Sequence, residues 1–69
     1  MNKYNVRDVI TATCDLTQYA ETIKTGDTGT IVHIYPDDQY EVEFEKKDER
    51  GSWFIMMTMK RHQMKPKED

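Results

Sequence analysis

A chain of 69 residues forms one small domain with a thin core, because so short a chain buries a smaller share of its surface than a longer one. That size makes a deep catalytic cleft unexpected, and the single cysteine excludes an intramolecular disulfide and favours a reducing cytoplasm. The net charge is −3, with 36% hydrophobic and 33% charged residues, so we expect a polar but folded cytoplasmic domain spanning residues 1–69.

The N-terminal part of the chain is predicted to contain a frayed lead-in (residues 1–5) and a first strand (residues 6–13). Residues 14–27 have few apolar positions and exceed an ordinary hairpin turn, so a long first loop is predicted there. The competing interpretation is a short amphipathic helix over residues 17–24, because four apolar residues fall at helical spacing. These four are Leu16, Tyr19, Ala20 and Ile23.

A tight turn followed by a β-hairpin is predicted for the centre of the chain. Glycine supplies positive-φ positions, and an aspartate between two glycines favours a turn. The residues of this structural turn are Gly26, Asp27 and Gly29. Residues 30–35 are β-branched or aromatic, so a strand is predicted over residues 29–35. Residues 36–39 have turn chemistry, and residues 40–45 are predicted to form the returning strand.

The returning strand alternates apolar and acidic residues. Its apolar residues are Tyr40, Val42 and Phe44, and its acidic residues are Glu41, Glu43 and Glu45. Because successive strand side chains point to opposite faces, this alternation places three apolar side chains in the core and three carboxylates toward water.

The C-terminal part of the chain is predicted to add a polar turn and two more strands. Residues 46–51 form the turn, residues 52–59 a fourth strand, and residues 60–63 a single 3₁₀ turn. Residues 64–66 form the last strand, and residues 67–69 are a frayed tail.

Both faces of the fourth strand are apolar, although one face of an outer strand usually carries polar residues. Trp53, Ile55, Met57 and Met59 share one face, and Phe54, Met56 and Thr58 share the other. Either the long first loop or the C-terminal segment covers the second face, or that face is an exposed surface suited to a protein partner or a homodimer contact.

The segments that together resemble a known family are Asp8-Val9-Ile10, Leu16, Gly26-Asp27-Thr28-Gly29-Thr30-Ile31-Val32-His33-Ile34-Tyr35, Tyr40-Glu41-Val42-Glu43-Phe44 and Met64-Lys65-Pro66. Over about residues 8–66 the pattern resembles a family of short bacterial domains of unknown function. The resemblance implies an all-β fold, a small five-stranded SH3-like antiparallel barrel with a long first loop and a short 3₁₀ turn before the last strand. It implies no activity.

The residue types that carry catalysis or bind metals do not form a recognisable motif in this sequence. His33, His62 and Cys14 have no standard zinc spacing, and no activating motif surrounds any of them. The two-glycine turn precedes a strand, whereas phosphate-binding glycine loops precede a helix. We therefore expect no enzyme activity, no catalytic residue, no metal and no cofactor.

Acidic residues are concentrated in the middle of the chain. Residues 15–49 hold ten acids and three bases, whereas residues 50–69 hold five bases and two acids. This segregation favours a non-enzymatic protein-binding module, and the narrower hypothesis is an acidic inhibitor of a nuclease or nucleic-acid-binding complex, of the antitoxin, immunity or phage anti-defence (anti-CRISPR) type. The predicted partner-binding residues are Glu41, Glu43, Glu45, Phe54 and Met56.

Two alternative functions stay open at the level of sequence. The two-glycine turn also resembles that of KOW-type barrels, which would make the domain an RNA-binding or ribosome-associated module that uses Lys60, Arg61 and Lys65. The acidic strand would repel a nucleic-acid backbone, so direct nucleic-acid binding is not expected. The other alternative is a self-associating accessory subunit. No membrane partner is expected, because no apolar run approaches membrane-spanning length.

Overall fold

The computed structural model describes residues 3–68, and within them the chain is almost entirely β-strand. The strands are β1 (Val9–Ala12), β2 (Leu16–Gln18), β3 (Glu21–Ile23), β4 (Thr28–Ile34), β5 (Gln39–Asp48), β6 (Gly51–Lys60) and β7 (Met64–Pro66), with a 3₁₀ helix at Arg61–Gln63 between β6 and β7. The predicted 3₁₀ turn and the last strand are confirmed.

Five of the strands form one antiparallel sheet in the order β6-β5-β4-β1-β7, and β2 and β3 form a separate two-stranded sheet. The predicted small all-β antiparallel fold is confirmed. The five-stranded sheet is open, because β6 and β7 are its two edges and do not pair with each other. The longest feature is the β5–β6 hairpin, in which each strand has ten residues.

The core lies on one face of this sheet and follows the alternation of β5 and β6. Tyr40, Val42 and Phe44 on β5 are at most 2% exposed, and Met57 and Met59 on β6 are fully buried. The remaining core residues are Tyr4, Ile10, Ala12, Ile23, Ile31, Ile55 and Met64. A buried side chain of this size contributes about 1.5–3 kcal/mol relative to an exposed one. Because half of the core residues lie on β5 and β6, these two strands are a major source of the driving force for folding.

Residues 14–27 form neither the predicted long loop nor the competing helix. Residues 16–23 within this segment form the β2–β3 hairpin, in which Thr17 pairs with Thr22 and their hydroxyl oxygens lie 2.8 Å apart. Tyr19 and Ala20 make the turn with φ angles of 52° and 66°. Positive φ at both central residues is the pattern of a type I′ turn, which usually contains Asn, Asp or Gly, so composition gives no sign of this hairpin.

The largest differences from the predicted strand boundaries lie at two local turns. β1 begins at Val9 and not at residue 6, since the Asn5 N–H donates to the Asp8 carboxylate (2.9 Å) and the Asp8 N–H donates to the Asn5 carbonyl (3.1 Å). The predicted polar turn over residues 46–51 is shorter than expected, because β5 continues to Asp48 and β6 starts at Gly51.

The ends of the chain were predicted to fray. Residues 1, 2 and 69 lie outside the described residues. Tyr4, within the predicted lead-in, is 8% exposed, and its ring packs edge-on against the ring of Tyr40 with centroids 5.4 Å apart. The N-terminal segment therefore contributes a side chain to the core.

Candidate partner-binding face

The register of the β5–β6 hairpin brings together the acidic and apolar residues that the sequence predicts as a partner surface. Glu41 pairs with Thr58, Glu43 with Met56, and Glu45 with Phe54. Directly opposed residues in an antiparallel pair point to the same face of the sheet. All five predicted residues therefore share one surface, which we call the outer face of the hairpin: Glu41, Glu43, Glu45, Phe54, Met56 and Thr58.

The apolar side chains of this outer face are exposed. Phe54 is 62% exposed and Met56 44% exposed, so neither the β2–β3 hairpin nor the C-terminal segment of the described chain covers them. Of the two interpretations that the sequence leaves open, the structure supports an exposed surface. Trp53, on the opposite face of the same strand, is 43% exposed as well, because it lies beyond the end of the core.

The three glutamates of the outer face differ in their contacts. Glu41 Oε1 accepts hydrogen bonds from the Thr58 hydroxyl (2.8 Å) and the Tyr35 hydroxyl (3.3 Å). Partial burial, followed by the charge and the hydrogen bond of Glu41, raises the pKa of Tyr35 above its usual value. Within residues 3–68, Glu43 and Glu45 form no ion pair, so their charges are available to a partner.

One end of the free edge of β6 is capped by side chains. Gln18 Nε2 donates to the Thr58 carbonyl (2.7 Å), and Gln18 Oε1 accepts from the Thr58 N–H (2.8 Å). Gln63 Oε1 accepts from the Lys60 N–H in the same way (2.7 Å). The main-chain groups of Thr58 and Lys60 therefore point away from β5, toward the outside of the sheet.

The predicted nucleic-acid residues are Lys60, Arg61 and Lys65, and the structure commits one of them to an internal contact. The Arg61 guanidinium donates to both carboxylate oxygens of Asp38, from Nε at 3.0 Å and from Nη2 at 2.9 Å. It also lies over the rings of Tyr4 and Tyr40, 5.2 Å and 5.7 Å from their centroids. This cluster ties the β4–β5 turn, the 3₁₀ helix and the N-terminal segment together. Lys60 and Lys65 are exposed.

The groups of this cluster shift one another's pKa values. Hydrogen bonds from Arg61, and then from Tyr40, hold the pKa of Asp38 below its usual value. Burial, and then the hydrogen bond that it donates to Asp38, raises the pKa of the Tyr40 hydroxyl. The hydrogen bonds to Asp38 raise the pKa of Arg61 further, so the pair stays charged across the physiological range.

Of the three residues predicted for the structural turn, Gly26 and Asp27 lie between β3 and β4. Gly26 has φ +96°, and the Asp27 carboxylate accepts a hydrogen bond from the Lys24 N–H (2.9 Å). Gly29 instead lies inside β4 and is buried. A Cβ at this position would come within 2.8 Å of both the Phe44 and Val42 side chains, so glycine is required here by close packing and not by turn geometry.

A family model described as Domain of unknown function (DUF4926) matches residues 6–66 of this chain. The chain belongs to the DUF4926 family. No curated protein and no solved structure matches it. The resemblance to a family of domains of unknown function is thus confirmed. The five-stranded barrel that the resemblance implies is not closed in the described residues, because β6 and β7 do not pair.

The described part of this DUF4926 domain holds no group of three or more His, Cys, Asp or Glu residues placed to bind a metal. No helix among residues 3–68 is long and apolar enough to cross a membrane. Cys14 is a free, half-buried thiol.

Two contacts of the DUF4926 domain are not predictable from its sequence. Gln18 is not among the predicted residues, because its contact with Thr58 joins residues 40 positions apart. Arg61 is among the predicted nucleic-acid-binding cations, although its carboxylate partner Asp38 lies 23 positions earlier. Neither contact has a local sequence signal.

Proposed function

We propose that this domain acts by binding a protein through the outer face of the β5–β6 hairpin, and not by catalysis. The observation that supports the proposal is the register that sets Glu43 opposite Met56 and Glu45 opposite Phe54. Exposed apolar residues beside unpaired carboxylates give a partner both an anchor and a charge to recognise. A basic protein surface fits this face best.

The narrower proposal is that the partner is a nuclease or a nucleic-acid-binding complex that this domain inhibits. The carboxylates of Glu41, Glu43 and Glu45 repeat at every second residue, about 6.6 Å apart along the strand. A regular row of negative charge resembles a nucleic-acid backbone and steers association with a basic cleft. The antitoxin, immunity and anti-defence hypotheses are forms of this proposal.

The KOW-like nucleic-acid-binding alternative receives less support from the geometry. Arg61 is hydrogen-bonded to Asp38, and Glu43 and Glu45 add negative charge to the sheet surface. Phosphate binding requires clustered cations that release counterions.

A pull-down from host lysate with and without nuclease tests the proposal. The tagged domain is compared with the double variant Phe54→Glu, Met56→Glu and with the control Val6→Glu, since Val6 is 50% exposed but lies in the turn before β1. We expect one discrete protein that survives nuclease treatment, is lost with the double variant and is retained with the control. Capture unchanged by the double variant would overturn the proposed face.

The inhibitor proposal is tested on the captured partner. Its nuclease or nucleic-acid-binding activity is measured against increasing amounts of the domain, and we expect the activity to fall to a low plateau. The triple variant Glu41→Gln, Glu43→Gln, Glu45→Gln should require a higher concentration for the same effect. Unchanged activity at saturating amounts of the domain would rule inhibition out and leave only binding.

A further inference from the structure

The free edge of β6 exposes main-chain hydrogen-bonding groups next to the outer face. Thr58 and Lys60 direct their N–H groups away from β5, toward Gln18 and Gln63. Outward and inward groups alternate along a strand, so the N–H and carbonyl groups of Met56, Phe54 and Ser52 point outward as well. Within residues 3–68 no hydrogen bond outside the sheet reaches these three residues.

This stretch of edge has none of the features with which proteins usually protect an edge strand. Between Ser52 and Thr58 there is no lysine, no proline and no other charged residue, and β5 and β6 pair without a register shift over all ten residue pairs. Side chains on both faces of the edge are apolar and exposed: Trp53 on one face, Phe54 and Met56 on the other. An unprotected apolar edge of this kind is typical of a strand that accepts another strand.

We propose that the edge of β6 from Ser52 to Met56 accepts an extended basic segment of a partner protein as an additional strand. This inference rests on the proposed function and names its mode of binding. The proposed site ends before Thr58, because the N–H and carbonyl groups of Thr58 are already hydrogen-bonded to the side-chain amide of Gln18.

The negative charge of the neighbouring glutamates on β5 favours a basic added strand. An added strand lies about 4.8 Å from β6 and about 9.6 Å from β5. Lysine or arginine side chains on its outer face reach across β6, between Phe54 and Met56, to Glu43 and Glu45, which form no ion pair with another described residue. A second copy of this chain would instead bring its own acidic stripe and a net charge of −3 to the same edge.

Peptide binding with residue-resolved amide exchange tests the inference on the whole chain. The probe is a short fluorescent peptide that alternates valine and lysine, compared with a valine–glutamate peptide and with a valine–lysine peptide N-methylated at alternate amides. Binding is followed by anisotropy. Amide hydrogen exchange is read at Phe54 and Met56, with Met57 as an internal reference because its N–H already bonds β5.

We expect the basic peptide to bind at least about ten-fold more tightly than the acidic one, and to weaken roughly ten-fold between about 0.05 and 0.5 M NaCl. It should slow exchange at Phe54 and Met56, and N-methylation should remove both effects. Glu43→Gln, Glu45→Gln should weaken binding. Met56→Pro, which lacks the outward N–H, should abolish binding, whereas Met56→Ala, which keeps the N–H and loses only the side-chain contact, should weaken it and leave it measurable.

Three results would overturn the inference. Absence of binding by the basic peptide would do so, as would equal binding of the N-methylated peptide without protection of Phe54 and Met56. Protection that rises with protein concentration in the absence of peptide would show that a second copy occupies the edge. The proposed function fails separately, when Phe54→Glu, Met56→Glu leaves partner capture unchanged, so the two failures are distinguishable.

Discussion

Gln18 holds Thr58 by two hydrogen bonds, one donated by Nε2 to the carbonyl (2.7 Å) and one accepted by Oε1 from the N–H (2.8 Å). The pair joins β2 to the edge of β6 across a separation of 40 residues. Because the two side-chain groups match the donor and acceptor of one strand residue, Gln18 acts as a single residue of an added strand. It docks the β2–β3 hairpin onto the main sheet.

Removing this contact should loosen the β2–β3 hairpin and leave the N–H and carbonyl groups of Thr58 without their hydrogen bonds to Gln18. Gln18→Ala is expected to cost about 1–3 kcal/mol of unfolding free energy, because two partly buried hydrogen bonds are lost. The Thr58 amide should exchange faster, whereas the Met57 amide, which bonds β5, should not. Urea denaturation and amide exchange measure the two effects. Unchanged exchange at Thr58 would contradict the assignment of its N–H to Gln18.

The turn between β2 and β3 should be improved by glycine. Ala20 has φ 66°, a conformation that costs a residue with a Cβ about 1–2 kcal/mol. Glycine would avoid this cost, although its greater freedom in the unfolded chain offsets part of the gain. Ala20→Gly should therefore raise the free energy of unfolding by about 0.5–1 kcal/mol, which corresponds to a few degrees in Tm. The matched control is Ala12→Gly in buried β1, which should destabilise. Equal losses from both changes would show that Ala20 is not left-handed.

The sequence predicts the parts of this fold that depend on local patterns and misses those that depend on distant pairing. The alternation in β5 predicts its buried and acidic faces, and the apolar faces of β6 follow in the same way. The β2–β3 hairpin is missed because Tyr19 and Ala20 are not turn residues by type, and its first strand has only three residues. The sequence shows that Arg61 is a cation but does not predict its partner, because Asp38 comes into contact with Arg61 only in the folded chain.

The Asp38–Arg61 contact predicts a stability difference that depends on pH. The pKa of Asp38 lies below its ordinary 3.8, chiefly because of the hydrogen bonds from Arg61. A carboxyl whose pKa is lowered by folding stabilises the protein above the unfolded pKa, and this contribution is lost as pH falls through the folded pKa. Asp38→Asn should therefore lower Tm at pH 7, and the difference from wild type should shrink below about pH 4.

Asparagine suits this comparison because it tolerates the positive φ of Asp38 (64°). Asp37→Asn is the control, since the Asp37 carboxylate accepts only from the Gln39 amide among the hydrogen bonds of the described chain. Tm measured from pH 7 to pH 2 for all three proteins decides the outcome. A difference between wild type and Asp38→Asn that stays constant over this range would exclude the ionic contact as its cause.

Gly29 and Gly26 should respond differently to alanine. At Gly29 a Cβ would lie 2.8 Å from the Phe44 and Val42 side chains and 2.9 Å from the Glu43 carbonyl oxygen. The clash includes main chain, so Gly29→Ala should cost about 1–3 kcal/mol or more. Gly26→Ala meets no atom within 4 Å and bears only the cost of φ +96°, about 1 kcal/mol. Denaturant midpoints measure both, and a larger loss at Gly26 would refute the packing argument.

Proline at adjacent positions of β6 should separate the free edge from the paired side. Met56 directs its N–H outward, so Met56→Pro should cost about 1–2 kcal/mol and leave the domain folded. Met57 is fully buried and its N–H bonds β5, so Met57→Pro should leave the domain largely unfolded. Met57→Ala measures the destabilisation that comes from losing the buried side chain alone. Any further destabilisation in Met57→Pro comes from losing the hydrogen bonds between β6 and β5. Circular dichroism and urea denaturation distinguish these outcomes. If Met56→Pro unfolded the domain, the Met56 N–H would have to bond β5, and the outward and inward residues of β6 would be the reverse of those described here.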